Sequence, residues 1–174
     1  MHAIVAVDEN WGIGYNDQLL YTIKEDQQYF RNFTLNKIVV IGDVSLKTLP
    51  GGNPLKDRIT IVLSKDENLK IKNAIICNSV EQVLEEADNY NPDDVIIIGG
   101  QSVYEQFLDY CATVHVTRIK GSKPADKFFP NLDFKENWSI ESISEEKTCE
   151  DLKFAFYVYR NSAIREPNRE ATAD

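Results

Sequence analysis

Three places in the chain set residues that do chemistry against an unusual background. The first is the stretch TIKEDQQYFRNF, residues 22–33. Ile23, Phe30 and Phe33 fall at i, i+7 and i+10 of a helical repeat, and the same stripe passes through Asp26 and Gln27 at i+3 and i+4. Lys24, Glu25, Gln28, Arg31 and Asn32 take the wet face. Thr22 with Glu25 three residues later reads as a capping box, so Asp26 lies past the capping positions and points inward. Taking an ionised carboxylate out of water is costly unless something bonds it, and its pKa rises. Such a group is either held by a neighbouring arginine or hydroxyl, or it waits for the N–H groups of a ligand.

The second place is glycine. In VIIIGGQSVYEQF, residues 95–107, four apolar residues stop at Gly99–Gly100 and pass straight into a helical pattern. A glycine pair there suggests that a ligand or another backbone comes too close for side chains. IGDVSLKTL, residues 41–49, repeats the strand–Gly–helix form around Gly42. Two helix starts at the carboxyl ends of parallel strands, side by side, suit a diphosphate, with Ser45 and Ser102 as hydroxyl donors; a pair of tight turns with capping serines fits equally. Val103, Tyr104, Phe107 and Leu108 read as core, with Tyr104 the one candidate for the cofactor side.

The third place is Arg58, which opens a strand that Ser64 and Lys65 close. A lone arginine makes a surface salt bridge by default; bidentate capture of a substrate carboxylate is the sharper reading. After the first strand, Gly12 and Gly14 bracket Ile13, as an active-site cover or an ordinary loop would.

These residues need a scaffold, and 174 residues suffice for one domain with a sizeable core. Eight runs read as strands: AIVAV, KIVVIG, RITIVL, AIIC, VIIIG, TVHVTRI, WSIESIS and FAFYVYR. Helical patterns near 24–33, 43–49, 79–88 and 101–108 separate most of them. The expected fold is α/β: a single domain with an eight-stranded, mostly parallel twisted sheet, an antiparallel C-terminal strand and about four flanking helices. The last two runs alternate as antiparallel edge strands do. The domain is expected over 1–160, with 161–174 a frayed polar tail outside the chemistry.

Composition narrows the function. A net charge of −9, from 28 acidic and 19 basic residues, repels nucleic acid and anionic membrane but permits a small anion in a focused cleft. No apolar run nears the ~20 residues that span a bilayer, and the first residues enter AIVAV without a basic leader, so a cytoplasmic protein is expected. Cys77, Cys111 and Cys149 form no CxxC pair and read as reduced thiols. His2 and His115 are the only histidines and fall in strand runs, leaving no raw material for a metal cluster or a Ser-His-Asp site.

From about residue 3 to 160 the pattern resembles dihydrofolate reductase, through AIVAVDENWGIG, EDQQYF, TLNKIVVIG, PLKDRITIVLS, IIIGGQSVYEQF, VTRI and ADKFFP in order. The resemblance implies hydride transfer from NADPH to 7,8-dihydrofolate by a monomer, with a cis peptide at Gly99–Gly100. It implies that Asp26 binds the pterin and promotes protonation at N5, with Thr117 supporting it and Tyr21 nearby. Phe30 and Leu55 would meet the aminobenzoyl ring, and Arg58 the glutamate carboxylate. Val5, Ala6, Leu19, Gln27, Leu49 and Ile98 fall on the substrate side. Ala6 and Ile13 would meet the nicotinamide carboxamide, and Gly14–Leu20 corresponds to a mobile cover. Gly42, Asp43, Val44, Ser45, Leu63, Ser64, Lys65, Ile98, Gly99, Gly100, Gln101, Ser102, Val103 and Tyr104 fall on the cofactor side.

Four positions depart from the family. Leu19-Leu20-Tyr21 replaces Leu-Pro-Trp, with the tyrosine hydroxyl a substitute for the indole. Gln27 replaces an apolar neighbour of the acid, and Asn78 stands where a lysine sometimes assists. Asp43 replaces an arginine that binds the 2′-phosphate, leaving Ser64 and Lys65 as phosphate partners and implying weak NADPH-over-NADH discrimination, with NADH as an alternative cofactor. Two rival readings are a pyrimidine reductase of riboflavin synthesis and a non-catalytic folate- or nucleotide-binding homologue.

Overall fold

Each of the eight apolar runs becomes a strand of one sheet. The computed structural model describes residues 1–167. Strands β1 (His2–Val7), β2 (Ile38–Gly42), β3 (Ile59–Leu63), β4 (Ala74–Cys77), β5 (Val95–Gly99), β6 (Thr113–Ile119), β7 (Trp138–Ile143) and β8 (Leu152–Asn161) lie in the order β7-β8-β6-β1-β5-β2-β3-β4. From β6 to β4 every neighbouring pair is parallel, and β8 runs antiparallel to both β6 and β7. Only β7 of the last two runs is therefore an edge; β8 is interior, and Lys147–Cys149 adds a short strand to it. A second, three-stranded sheet joins Gly12–Tyr15 to Gln18–Leu19 and to Lys127–Phe128.

The continuous apolar runs are explained by cover on both faces. Val39 and Val40 are adjacent, point to opposite faces and are both 0% exposed. One face packs Val5, Val40, Ile61 and Ile97 against Val83, Leu84, Val103 and Phe107, from helices α3 (Val80–Ala87) and α4 (Gln101–Phe107). The other face carries α1 (Lys24–Thr34), with Tyr29 stacked on Phe156 at 4.4 Å, and α2 (Asp43–Leu46) over Ile41 and Val62. Among the described residues no helix is long and apolar enough to cross a membrane.

Two local expectations fail. The capping box at Thr22 does not form: the N-cap is Ile23, with no side-chain cap. Burying Ile23 against Ile119 and Phe154 fixes the entry of α1 and leaves Thr22 one residue too early and exposed. Nor is the chain frayed from 161. Asn161 is buried and donates to the Cys111 carbonyl at 3.1 Å, and the Arg165 N–H reaches the Asp109 carbonyl at 2.8 Å. Residues 168–174 of the expected tail lie outside the described residues.

α1 also closes over His115, whose Nδ1 pairs with the Tyr29 hydroxyl at 2.9 Å and whose ring lies 4.2 Å from Phe33. Burial lowers the His115 pKa to about 4, chiefly by desolvating the imidazolium. The unfolded chain binds this proton near pH ~6.5. Between that pH and about 4 the folded state holds fewer protons, so stability is full above the unfolded pKa and is lost as pH falls. The shift is worth roughly 3 kcal/mol. Urea unfolding from pH 7 to 4.5 is expected to show this decline, and His115→Gln to flatten it. Equal slopes for both proteins would remove His115 as the cause.

Candidate active site

α1 brings Asp26 to the carboxyl half of β6. There the Thr117 hydroxyl, 1% exposed, donates to Asp26 Oδ1 at 2.6 Å. Among the described residues this is the one side chain that hydrogen-bonds the carboxylate, and no cation pairs with it. Burial raises the Asp26 pKa, and the Thr117 bond offsets part of the rise. The two possibilities left by the sequence are thus both in play: a hydroxyl holds one oxygen, and the other keeps unused acceptor capacity. Gln27 departs from the inward stripe and is exposed, because the helix turns its face toward Asp26, Tyr29, Phe30 and Phe33.

The glycine junctions meet at the carboxyl ends of β2 and β5. Gly99–Gly100 is a cis peptide. Gly42 and Gly100 are the N-caps of α2 and α4, and neither helix start has a side-chain cap. A Cβ on Gly42 would lie 3.1 Å from Val103 and 3.9 Å from the Gly99 carbonyl oxygen, so the junctions are in direct contact. A Cβ on Gly100 would overlap Ser45 Oγ. The uncapped N–H groups of α4, beside a surface cleared of side chains, suit an anionic, flat-lying ligand, while at α2 the Val44 N–H already bonds Asp43 Oδ1 at 2.8 Å.

Around this cleft run two loops that the sequence reading left unconnected. Asp8, 1% exposed, accepts N–H bonds from Asn10 and Gly12 at 2.9 Å each and from Lys123 at 3.2 Å. Lys123 Nζ donates to the Leu20 carbonyl at 3.0 Å and sits 4.3 Å from the Tyr21 ring centroid. Asp126 closes the other end, its N–H reaching the Gly14 carbonyl at 3.0 Å and its carboxylate the Asn16 N–H at 3.1 Å. Asp8 could have been suspected from Asp-x-Asn just after a strand, a common turn signature. Lys123 and Asp126 carry no such local signal.

A sequence model of the dihydrofolate reductase family matches residues 1–161. The chain belongs to the dihydrofolate reductase family. Dihydrofolate reductase of Staphylococcus haemolyticus is 31% identical over 160 residues, covering 90% of this chain and 92% of that one. The Bos taurus enzyme is 32% identical over 185 residues, covering 93% and 97%. The solved structure of dihydrofolate reductase from Enterococcus faecalis, complexed with NADP(H) and RAB-propyl, superposes with a TM-score of 0.82 at 26% identity, covering 92% and 95%.

Within this family member, Ala6, Phe30, Leu49, Leu55 and Ile98 are half-buried on the α1 and α2 side of the sheet or in the loops beside it. The Val5 side chain points into the opposite core, leaving its backbone to the cleft. Leu19 is 74% exposed on the small sheet, and Ile13 lies buried between the two loops. Val44, Lys65 and Ser102 are exposed, and Leu63 is half-buried. Val103 is core, and Tyr104 donates to the Ile4 carbonyl at 2.7 Å while its ring packs on Gly99. Gln101 bridges Glu105 and the Phe128 N–H. The Tyr21 hydroxyl lies beside Gly121, and the acids that bear on it are Asp8 and Glu9 rather than Asp26. The Tyr21 ring lies under Lys123 Nζ. Ser64, expected to stay available for phosphate, donates its hydroxyl to Asp43 at 2.7 Å. Asn78 turns back to the carbonyls of Ser64 and Asp66. Arg58 donates to Thr34 Oγ1 and to the carbonyls of Arg31 and Lys56, so its fork is fixed at the end of α1.

Gly100→Ala is expected to destabilise the chain by about 1–3 kcal/mol through overlap with Ser45 Oγ. Adding Ser45→Ala removes the obstructing atom, leaving the Ser45 Cβ position at 3.7 Å, and is expected to recover most of the loss in a thermal melt. No recovery would place the strain elsewhere.

Proposed function

We propose that the chain reduces 7,8-dihydrofolate to 5,6,7,8-tetrahydrofolate with NADPH, and that Asp26 is its catalytic acid. The observation that carries this reading is a half-buried carboxylate with a single hydroxyl partner; Phe30, Leu49 and Leu55 would pack on the substrate's rings. A heterocycle bearing an amide N–H and an amino group supplies the donors that Asp26 lacks, where a buried structural carboxylate would already have them.

The glycine surface at Gly42, Gly99 and Gly100 fits a dinucleotide, since side chains there would occupy its path. Ser45, Gly100, Gln101 and Ser102 would hold its diphosphate at the two helix starts, Gly42 and Val44 would lie along its path, and Ala6, Ile13 and Gly14 would hold its carboxamide. When bound, the reduced nicotinamide supplies the hydride that adds across the pterin C=N bond. Asp26 orients the pterin and, with its raised pKa, favours arrival of the balancing proton at N5. Thr117 fixes the Asp26 rotamer. Arg58, positioned by its bonds to α1, keeps N–H capacity for the substrate carboxylate. The loop from Gly14 to Leu20 would cover the ring pair and exclude water. Unpaired cysteines Cys77, Cys111 and Cys149 support a reducing, cytoplasmic setting.

The test is dihydrofolate-dependent loss of NADPH absorbance. Asp26→Asn is expected to lower turnover at neutral pH by about 10²–10⁴-fold with an unchanged melt. Because only the protonated acid serves the step, the wild-type rate is expected to fall as pH rises through the elevated Asp26 pKa, and the variant to lose that limb. Near-normal turnover of the variant would remove Asp26 from the chemistry.

A further inference from the structure

Resting on that reading, we infer that the adenosine end of the cleft is built around the Asp43 carboxylate as an acceptor for a ribose 2′-hydroxyl. The chain then takes NADH on nearly equal terms with NADPH. In open parallel sheets a dinucleotide lies beyond the carboxyl ends of the strands where strand order reverses. Here β5 intervenes between β1 and β2, and the Gly99–Gly100 and Gly42 junctions touch at that crevice. With the nicotinamide half at Ala6 and Ile13, beside the pterin that Asp26 binds, the other half passes Gly42 toward the carboxyl end of β3. Gly42 pairs with Leu63 across β2 and β3, so Asp43 and Ser64, each one residue further on, stand side by side.

Their bonding decides what that position accepts. Ser64, 3% exposed, gives its only O–H to Asp43 Oδ2 at 2.7 Å, and its oxygen already accepts the Asp66 N–H at 3.1 Å. Asp43 Oδ1 takes the Val44 N–H at 2.8 Å. The carboxylate is thereby locked, each oxygen keeps a free lone pair, and Ser64 has no proton for a phosphate oxygen. A vicinal diol brings the donors those lone pairs need. A 2′-phosphate brings a charge of about −2 against the same oxygens. The turn Ser64-Lys65-Asp66-Glu67 sets one exposed cation against two more acids, so the local balance does not reverse that repulsion.

Calorimetric titration of ADP-ribose and 2′-phospho-ADP-ribose into the whole protein reads this site without turnover. The expected result is a preference for the phosphorylated ligand of no more than about tenfold, matched by the kcat/KM ratio for NADPH over NADH. Asp43→Asn keeps an acceptor for Ser64 and removes the charge, and is expected to move both ratios toward the phosphorylated form by about tenfold or more. A larger native preference, or a variant ratio that does not move, would overturn the proposal. The native ratio decides alone should D43N fail to fold. Oxidation of NADPH only, strongly dihydrofolate-dependent, would sink this inference and leave the reductase reading standing. Oxidation of neither cofactor would sink both.

Discussion

The carboxylate of Asp26, between α1 and β6 with one hydroxyl bonded to it, sets the demands that the rest of the fold must meet. Desolvating such a group costs several kcal/mol, and a single hydrogen bond to a charged acceptor returns about 1.5–3. The helix carrying it must therefore be held by other contacts. Ile23 locks its first turn into the cluster with Ile119 and Phe154, and Tyr29 stacks on Phe156 one turn after the acid. At the far end, Thr34 is fully buried, and Arg58 donates to the Arg31 carbonyl of the last turn and to the Thr34 hydroxyl oxygen, as a cation near a helix C-terminus can. Arg58 is thus bound into the helix that positions Asp26, and two parts of the site share one support.

A second buried acid shows how different a satisfied carboxylate looks. Asp8 receives three backbone N–H bonds and ties the end of β1 to the segment around Lys123. Three backbone donors occupy it, against one side-chain donor on Asp26. Asp8 is fully buried and Asp26 half-buried, and donor count separates the carboxylate that organises loops from the one with acceptor capacity to spare. Asp43 falls between them. Its two protein donors fix its orientation without exhausting its lone pairs.

Much of the scaffold was legible because its signals are local. Continuous apolar runs mark the strands covered on both faces, and the 3.6-residue stripe turns Asp26 inward from the sequence alone. The glycine pair announced a junction without side chains. What escaped depends on distant partners: Thr117 meets Asp26 across 91 residues, and Lys123 meets Asp8 across 115. Helical phase alone also placed Gln27 inward, where a face made of Asp26, Tyr29, Phe30 and Phe33 leaves it exposed. The Thr22 cap had the right spacing but lost to burial of Ile23, a tertiary choice that no capping rule contains. The reading of Ser64 as free was an error of the same kind, since its proton is claimed by a residue 21 positions away.

The cover over the cleft is stabilised in another way from the core beneath it. Its two halves are joined by strand pairing from Gly12 to Phe128 and from Gly14 to Lys127, by Asp126 at one end and by Lys123 over Tyr21 at the other. Tyr15, Leu19 and Phe128 remain exposed on it, so little apolar area is gained when it closes. Backbone bonds at the surface exchange with water at small net cost, which places this segment at the low end of local stability. Trp11, 3% exposed and stacked on Phe129, anchors its base to the core. Between that anchor and Tyr21 the segment is held mainly by surface backbone bonds, apart from Ile13, which packs into the core. Asp8, at the end of β1, bonds to both the Gly12 and the Lys123 N–H groups and so keeps these two arms in register with each other.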